Sequence, residues 1–280
     1  MKVTVIGLGL IGGSMALDLR KAGVATHLIG VDQNSANAKK AVELKIVDET
    51  LPMNEALQNA DLVIITIPVN AICSLLPSIL DVVHKNTVVI DGGSTKKSIC
   101  ASVNNHPKRN QFVAAHPLAG TEYSGPEAAL HGLFANKTNI ICEKEKSSEA
   151  ALSLAQKVFD TLGMKTIFME AEDHDKHVAY VSHLSHVSSF LLGQTVLDIE
   201  KDEASIFDLA GTGFASTVRL AKSSPDMWAP IFEQNAEYLS HALLEYIMHL
   251  QKFQYYLQKR DVKELHQMLV KANDIKRILK

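Results

Sequence analysis

The sequence has few cysteines, no low-complexity stretch and no strong excess of either charge. Its three cysteines, Cys73, Cys100 and Cys142, are odd in number and widely spaced, which excludes a disulfide framework and a zinc knuckle and favours a reducing compartment. A formal net charge of −3 over 280 residues leaves no basic surface for nucleic acid or an anionic membrane. Apolar runs at the N-terminus are short and interrupted by glycine, so neither a signal peptide nor a membrane span is expected there. We expect a cytoplasmic protein that binds neither nucleic acid nor membrane.

Short β-branched segments alternate with helical patterns through the first half of the chain. Continuous apolar strands separated by helices are typical of a parallel doubly wound sheet. Strands are predicted at residues 3–6, 27–31, 62–67, 87–90, 112–114, 138–141 and 165–169. Beyond residue 170 the pattern is nearly all helical, with long helices predicted at residues 177–197, 231–256 and 261–279. The chain therefore divides into a doubly wound domain, residues 1–170, and an all-helical domain, residues 171–280.

A glycine-rich turn follows the first predicted strand and opens the first predicted helix. Its residues fit the pattern G-x-G-x-x-G: Gly7, Leu8, Gly9, Leu10, Ile11 and Gly12. In this context the first glycine permits the turn, the second lets a pyrophosphate approach the backbone, and the third lets helix and strand pack closely. The helix N-terminus then faces the phosphates. We therefore interpret residues 1–170 as a Rossmann-type dinucleotide-binding domain.

Asp32 ends the second predicted strand, twenty residues beyond Gly12. An acid at this position hydrogen-bonds the ribose hydroxyls and repels the 2′-phosphate of NADP, so NAD is the expected cofactor. Lys39 and Lys40 leave the strictness of that preference open. Pro68 ends another strand at the edge where cofactors lie in open sheets, and it either borders the cofactor or simply terminates the strand.

Two polar segments follow predicted strands, DGGSTK at residues 91–96 and HPLAGTE at residues 116–122. Both fall at the carboxyl edge of the predicted sheet, where a hydride acceptor would lie. His116 has a side-chain pKa close enough to neutrality to take a hydroxyl proton while hydride leaves an alcohol. Ser94 would hold that imidazole or the substrate hydroxyl by a hydrogen bond.

A third cluster opens the helical domain, with His183 and His186 three residues apart on one helix face. The alternatives are substrate binding, a hydrogen-bonded core histidine, or a metal site completed by His174 and His177. The metal site is the second choice, and no metal is expected.

These segments resemble the prephenate/arogenate dehydrogenase family of tyrosine biosynthesis. The matching strings are GLGLIGGS, DGGSTK, HPLAGTEYSG, SHLSH and TVRLAKSSPDMWAPIF, in the family's order from residue 1 to about residue 250. The resemblance implies oxidative decarboxylation of prephenate or arogenate with NAD⁺.

The resemblance also implies roles for individual side chains. His116 would accept the proton of the ring 4-hydroxyl, and Ser94 would orient His116 and the nicotinamide. Arg219 would clamp the ring carboxylate with its planar fork, chiefly to position it. The remaining positions would border or contact the substrate: Thr121, Glu122, His183 and Trp228, the last contributed across a dimer interface in some relatives.

The chain departs from many relatives after Phe214, where Ala215 and Ser216 replace a basic–acidic pair. Recognition of the substrate's side-chain carboxylate, and with it the choice between prephenate and arogenate, is left open. Neither a fused mutase domain nor a regulatory domain is expected, and feedback by tyrosine stays an open question.

Two other classes of protein share parts of this pattern. A 3-hydroxyacid dehydrogenase or an imine reductase has the same layout, but it would be expected to carry a catalytic lysine or a different substrate loop. A non-catalytic NAD-binding sensor would not need Ser94, His116, His183 and Arg219 together.

The segment 231–256 is apolar around much of its circumference, which predicts a homodimer formed through the helical domain.

Overall fold

The computed structural model describes residues 1–201 and 204–278. The chain forms two compact units, Met1–Asn235 and Ala236–Lys280. The last predicted helix extends to Leu279, which lies outside the described residues. In the described part of the chain, no helix is long and apolar enough to cross a bilayer.

The first unit is built on one eight-stranded sheet with strand order β3-β2-β1-β4-β5-β6-β7-β8. The strands are β1 (Lys2–Ile6), β2 (His27–Val31), β3 (Glu49–Thr50), β4 (Leu62–Ile65), β5 (Val88–Asp91), β6 (Phe112–Pro117), β7 (Thr138–Cys142) and β8 (Lys165–Met169). The order reverses at β1, which pairs with β2 on one side and β4 on the other. This is the switch point at which open sheets of this kind bind their ligands. The predicted doubly wound fold is confirmed.

The sequence pattern indicated a sheet that is parallel throughout, and this prediction is wrong for one pair of strands. Strand β7 runs antiparallel to β6, and β8 runs parallel to β7. A parallel return requires a crossover connection, usually a helix, whereas the segment between β6 and β7 contains only a short 3₁₀ turn, Pro126–Ala128. The chain therefore returns in the opposite direction. Strand β3, which was not predicted, is two residues long and too short to produce an alternating pattern.

Helices cover both faces of this sheet and bury one apolar cluster on each. One cluster includes Val3, Leu19 and Phe159, and the other includes Val63, Leu76 and Trp228. The helices of the sheet region are α1 (Leu10–Lys21), α2 (Ser35–Glu43), α3 (Met53–Leu57), α4 (Val69–Val82), α5 (Lys97–Ser102) and α6 (Glu149–Thr161). Because Ala171, Trp228 and Ile231 also belong to the second cluster, part of the helical segment after β8 shares a core with the sheet.

The rest of the chain is helical, as predicted. The first unit continues with α7 (Ala171–Val178), a π turn (Ala179–His183), α8 (Leu184–Glu200), α9 (Thr212–Thr217) and α10 (Pro225–Gln234). The second unit contains α11 (Ala236–Gln258) and α12 (Val262–Ala272). The single helix predicted at residues 231–256 is wrong in one respect, because it is interrupted at Asn235, whose backbone has φ −105° and ψ 24°. The domain boundary near residue 170 marks a change in secondary structure and stays a prediction.

Candidate active site

The glycine loop joins β1 to α1 with geometry that only glycine permits at two of its positions. Gly7 has φ +94°, and a Cβ there would lie 2.7 Å from the carbonyl oxygen of Thr66. A Cβ on Gly12 would lie 2.2 Å from the carbonyl oxygen of Gly7. A Cβ on Gly9 would meet no atom within 4 Å, and Gly9 gives α1 no side-chain cap. The backbone N–H groups of the first turn, which includes Leu10 and Ile11, thus face open space that suits an anion.

Asp32 and the end of β4 are tied to this loop. One oxygen of the Asp32 carboxylate accepts a hydrogen bond from the backbone N–H of Leu8 at 2.9 Å, and the other accepts from that of Asn34 at 2.8 Å. Thr66 Oγ1 donates to the Gly7 carbonyl at 2.8 Å. Pro68 is exposed and precedes α4. An open helix N-terminus with a carboxylate beside it fits a dinucleotide with free ribose hydroxyls.

We predict that the two glycines fail in different ways when each is replaced by alanine. Gly12→Ala should lower thermal stability, by about 1–3 kcal/mol, because its methyl group would meet backbone atoms that cannot move aside cheaply. Gly9→Ala should leave the melting temperature unchanged, since its extended backbone accepts alanine, yet weaken NAD⁺ binding. Thermal unfolding and calorimetric titration with NAD⁺ measure both. Unchanged NAD⁺ affinity in Gly9→Ala would contradict the placement of the phosphates.

His116 lies at the end of β6 and contacts a second buried histidine. Its Nδ1 is 2.8 Å from Nε2 of His174, and Nδ1 of His174 is 2.7 Å from a carboxylate oxygen of Asp175. No hydrogen bond joins Ser94 to His116 among the described residues, and Nδ1 of the imidazole is paired with His174. The role of Ser94 toward the nicotinamide and the substrate stays a prediction.

Lys96 forms a fully buried ion pair with Asp91 beside this histidine. Its ammonium group also donates to the carbonyl oxygen of Ala115 at 2.6 Å, directly before His116. A lysine in a polar segment is usually solvated, but the side chain of Lys96 is fully buried. Burial holds the pKa of His116 well below its ordinary value, and the positive charge of Lys96 acts in the same direction. His116 is therefore neutral at physiological pH and able to accept a proton.

His183 ends the π turn and is 1% exposed. Its Nδ1 is 3.0 Å from the amide nitrogen of Asn235, which also donates to the backbone carbonyl of Asp175 at 2.8 Å. Burial lowers the pKa of His183 to about 4. Its Nε2 and the indole nitrogen of Trp228 are buried and have no hydrogen-bond partner among the described residues. Two polar atoms are thus available to a bound molecule.

Trp228 packs within its own chain. Its ring stacks on His186 with centroids 3.5 Å apart and meets His183 edge to face at 5.8 Å. Burial lowers the pKa of His186. The indole therefore holds both histidines of the SHLSH segment in place, whatever it contributes to a second subunit.

Arg219 and Glu122 lie together at a more open part of the site. Nη1 of Arg219 is 3.4 Å from a carboxylate oxygen of Glu122, and the arginine side chain is 52% exposed. Ser189 fixes the loop that carries Arg219, since its hydroxyl donates to the carbonyl of Thr217 and accepts from the N–H of Ala221, each at 3.0 Å. Thr121 precedes Glu122 and accepts a hydrogen bond from the N–H of Tyr123 at 3.3 Å. The arginine has room to receive a carboxylate.

The buried neutral histidines predict a loss of stability in acid. Since the pKa of His183 is about 4 in the folded chain and about 6.5 when unfolded, the unfolded state binds the proton first as the pH falls. The stabilisation is complete above the unfolded value and is lost between these two values, by about 3 kcal/mol. Urea midpoints measured across this range should decline less steeply in His183→Gln than in the wild type. The exposed His131→Gln serves as the matched control, and an equally steep decline in His183→Gln would contradict the prediction.

No group of three or more candidate ligands able to hold a metal ion is found at residues 1–201 and 204–278. His174, His183 and His186 instead have the protein partners described above.

Family profiles match both parts of the chain. Residues 15–168 match the family profile for the nucleotide-binding domain of prephenate dehydrogenase, and residues 170–271 match the profile for its dimerization domain. The chain belongs to the prephenate dehydrogenase family. A prephenate dehydrogenase of Bacillus subtilis is 29% identical over 279 residues, covering 98% of this chain and 75% of the relative. A cyclohexadienyl dehydrogenase of Zymomonas mobilis is 28% identical over 92% of this chain and 89% of the relative.

Solved structures of the prephenate dehydrogenase family extend the likeness to the fold. The crystal structure of prephenate dehydrogenase from A. aeolicus, in complex with hydroxyphenyl propionate and NAD⁺, has a TM-score of 0.89 and 31% identity. It covers 99% of this chain and 97% of its own. The crystal structure of Synechocystis arogenate dehydrogenase has a TM-score of 0.77 and 29% identity, with full coverage of both chains.

The residues that sequence reasoning missed are the partners of the predicted histidines. His174 was considered only as a metal ligand, and Asp175 and Asn235 were not singled out. Asp175 stands in a charged run, E-D-H-D-K-H, that resembles a solvated helix start. The one available signal was the asparagine inside an otherwise unbroken helical pattern.

Proposed function

We propose that this chain is an NAD-dependent enzyme of tyrosine biosynthesis that oxidatively decarboxylates prephenate to 4-hydroxyphenylpyruvate or arogenate to tyrosine. The observation that carries the proposal is a buried, neutral His116 at the carboxyl edge of the sheet that also holds the glycine loop and Asp32. The family match favours this reaction over a 3-hydroxyacid dehydrogenase, an imine reductase or a non-catalytic sensor.

NAD is the cofactor that the described residues fit. Gly7, Gly9 and Gly12, with the first turn of α1, would hold the pyrophosphate, Asp32 would hold the ribose hydroxyls, and Pro68 would border the site. When bound, the nicotinamide supplies the acceptor for a hydride from ring C4.

The side chains then have separate tasks. His116 takes the proton of the ring 4-hydroxyl as hydride leaves C4, and it returns this proton to the phenolate oxygen once the C1 carboxylate has departed as CO₂ and the ring is aromatic. Ser94 orients the reacting groups. Arg219 positions the carboxylate without binding the ground state more tightly than the transition state, because that group loses its charge in the reaction. Thr121, Glu122, His183 and Trp228 border or contact the substrate.

The helical part supports the rest of the proposal. We assign residues 1–170 to cofactor binding and residues 171–280 to substrate binding and dimerisation. Large apolar side chains on α11 and α12 are exposed in the single chain, which suits a homodimer interface: Leu244, Met248, Leu250, Leu257, Leu269 and Val270. The free cysteines are consistent with the cytoplasm.

The test is NADH formation by the purified protein with prephenate or arogenate, using NAD⁺ and NADP⁺ in parallel. Turnover of either substrate with NAD⁺ is expected, and the preferred one identifies the substrate. Protein that binds NAD⁺ but turns over neither substrate would overturn the proposal.

A further inference from the structure

Asp175 is an acceptor held by three N–H groups. Its carboxylate accepts from the backbone N–H groups of Lys96 at 2.7 Å and Lys97 at 2.9 Å, and from Nδ1 of His174 at 2.7 Å. Each of its two oxygens accepts from a backbone N–H group, and a carboxylate has only acceptor atoms. The hydrogen on the third contact therefore belongs to His174 Nδ1. Burial lowers the pKa of His174, so its ring is neutral, and because a neutral imidazole carries one hydrogen, His174 Nε2 has a lone pair.

The same reasoning extends to His116. Its Nδ1 lies 2.8 Å from the lone pair of His174 Nε2, so it must donate, and the hydrogen of the neutral ring is on Nδ1. The other nitrogen of His116, Nε2, is then left without hydrogen. That nitrogen is the proton acceptor.

Asn235 determines the tautomer of His183, which is the opposite of the tautomer of His116. Its amide nitrogen lies between the carbonyl oxygen of Asp175, at 2.8 Å, and Nδ1 of His183, at 3.0 Å. Flipping the amide would bring two oxygen atoms together, so the carbonyl fixes its orientation. An amide nitrogen only donates, and His183 Nδ1 therefore accepts. The hydrogen of His183 is on Nε2, the buried atom without a partner in the described chain.

We propose that Asp175 is a positioning residue that fixes the two histidines in opposite tautomers, through its carboxylate and His174 for His116 and through its carbonyl and Asn235 for His183. This rests on the proposed function of His116. The substrate then meets one bare ring nitrogen and one N–H. The hydroxyl proton moves to His116 Nε2, while His183 Nε2–H donates to a substrate oxygen. No proton passes on to Asp175, since His174 Nδ1 already carries one.

The direct test is two-dimensional ¹⁵N–¹H NMR of ring nitrogens in protein labelled at histidine, with signals assigned by their loss in His116→Asn and His183→Asn. The expected pattern is a protonated Nδ1 for His116 and a protonated Nε2 for His183. Protonated Nε2 on His116, or protonated Nδ1 on His183, would overturn the inference. This measurement needs no turnover, so it separates the inference from the proposed function.

Kinetics provide the second test. In Asp175→Leu, Nδ1 of His174 loses its acceptor, so the tautomers of His174 and His116 are no longer fixed and kcat should fall about 10-fold or more with NAD⁺ binding unchanged. Asp81→Leu is the matched control, because Asp81 pairs with His106 at 3.1 Å away from the site and its replacement should leave kcat unchanged. An effect in Asp175→Leu no larger than in the control would overturn the inference.

A further pair of variants guards against misfolding of Asp175→Leu. The amide oxygen of His174→Gln can still accept from His116 Nδ1, whereas His174→Leu cannot. The glutamine variant should keep about 10-fold more kcat than the leucine variant. Equal kcat in the two would show that His174 only fills space. Wild-type protein that turns over neither substrate would instead reject the proposed function and leave the NMR result standing.

Discussion

Replacing His116 with asparagine is expected to lower kcat by about 10³-fold, the loss that follows removal of a general base. The imidazole is buried and neutral, and asparagine keeps a polar group of similar size without a nitrogen that can take a proton. NAD⁺ affinity should not change, because the glycine loop and Asp32 are untouched. Steady-state NADH formation with the preferred substrate, together with NAD⁺ titration, measures both quantities.

The control for this prediction is His131→Asn, at a histidine that is 51% exposed and pairs with Asp18 on the surface. Its kcat should equal that of the wild type. A variant His116→Asn that retained its kcat and lost only substrate affinity would show that the ring binds substrate and takes no proton.

Replacing Arg219 with leucine should raise the KM for the substrate about 10²-fold, because a charge-assisted contact to a carboxylate contributes about 1.5–3 kcal/mol. Arg219→Lys should fall between leucine and the wild type, since lysine retains the charge and loses the planar fork. The KM for NAD⁺ should be unaffected. Initial rates over a range of substrate concentrations give these values.

The contrasting interpretation is that Arg219 makes only a surface ion pair with Glu122. Arg277→Leu tests it, because Arg277 is exposed and pairs with Asp274 at 3.8 Å. Exposed pairs of this kind contribute little. If Arg219→Leu changed the KM no more than Arg277→Leu does, the carboxylate clamp would be refuted.

The sequence predicted the features that depend on local patterns. The doubly wound sheet followed from apolar runs separated by helices, and the cofactor loop followed from glycines in a strand–helix context that the structure reproduces at Gly7 and Gly12. The direction of β7 could not be predicted, because a strand has the same alternation of side chains whichever way it runs. The direction of β7 depends on the connection after β6, which does not form the helix that a parallel crossover usually contains.

The candidate site was also predicted only in part. His116 and His183 stood out by residue type and context, and both are buried in the structure. Their partners did not, because the contacts join residues far apart in sequence, His116 to His174 and His183 to Asn235. Asp175 is 2% exposed although its neighbours in sequence are charged. Whether such a residue faces solvent or a buried ring depends on the tertiary packing of α7 against the segment after β5.

The π turn between α7 and α8 sets the angular spacing of the site. Asp175 and His183 are eight residues apart, and eight steps of about 100° in a regular α-helix would leave them about 80° apart around the helix axis. A π turn accommodates about one residue more than an α turn, which takes back about 100° and leaves the two positions about 20° apart. The π turn thus places Asp175 and His183 on one face of the helix, where Asn235 contacts both. The extra residue rotates α8 relative to α7 about the helix axis, and it thereby sets which side chains of the two helices share a face.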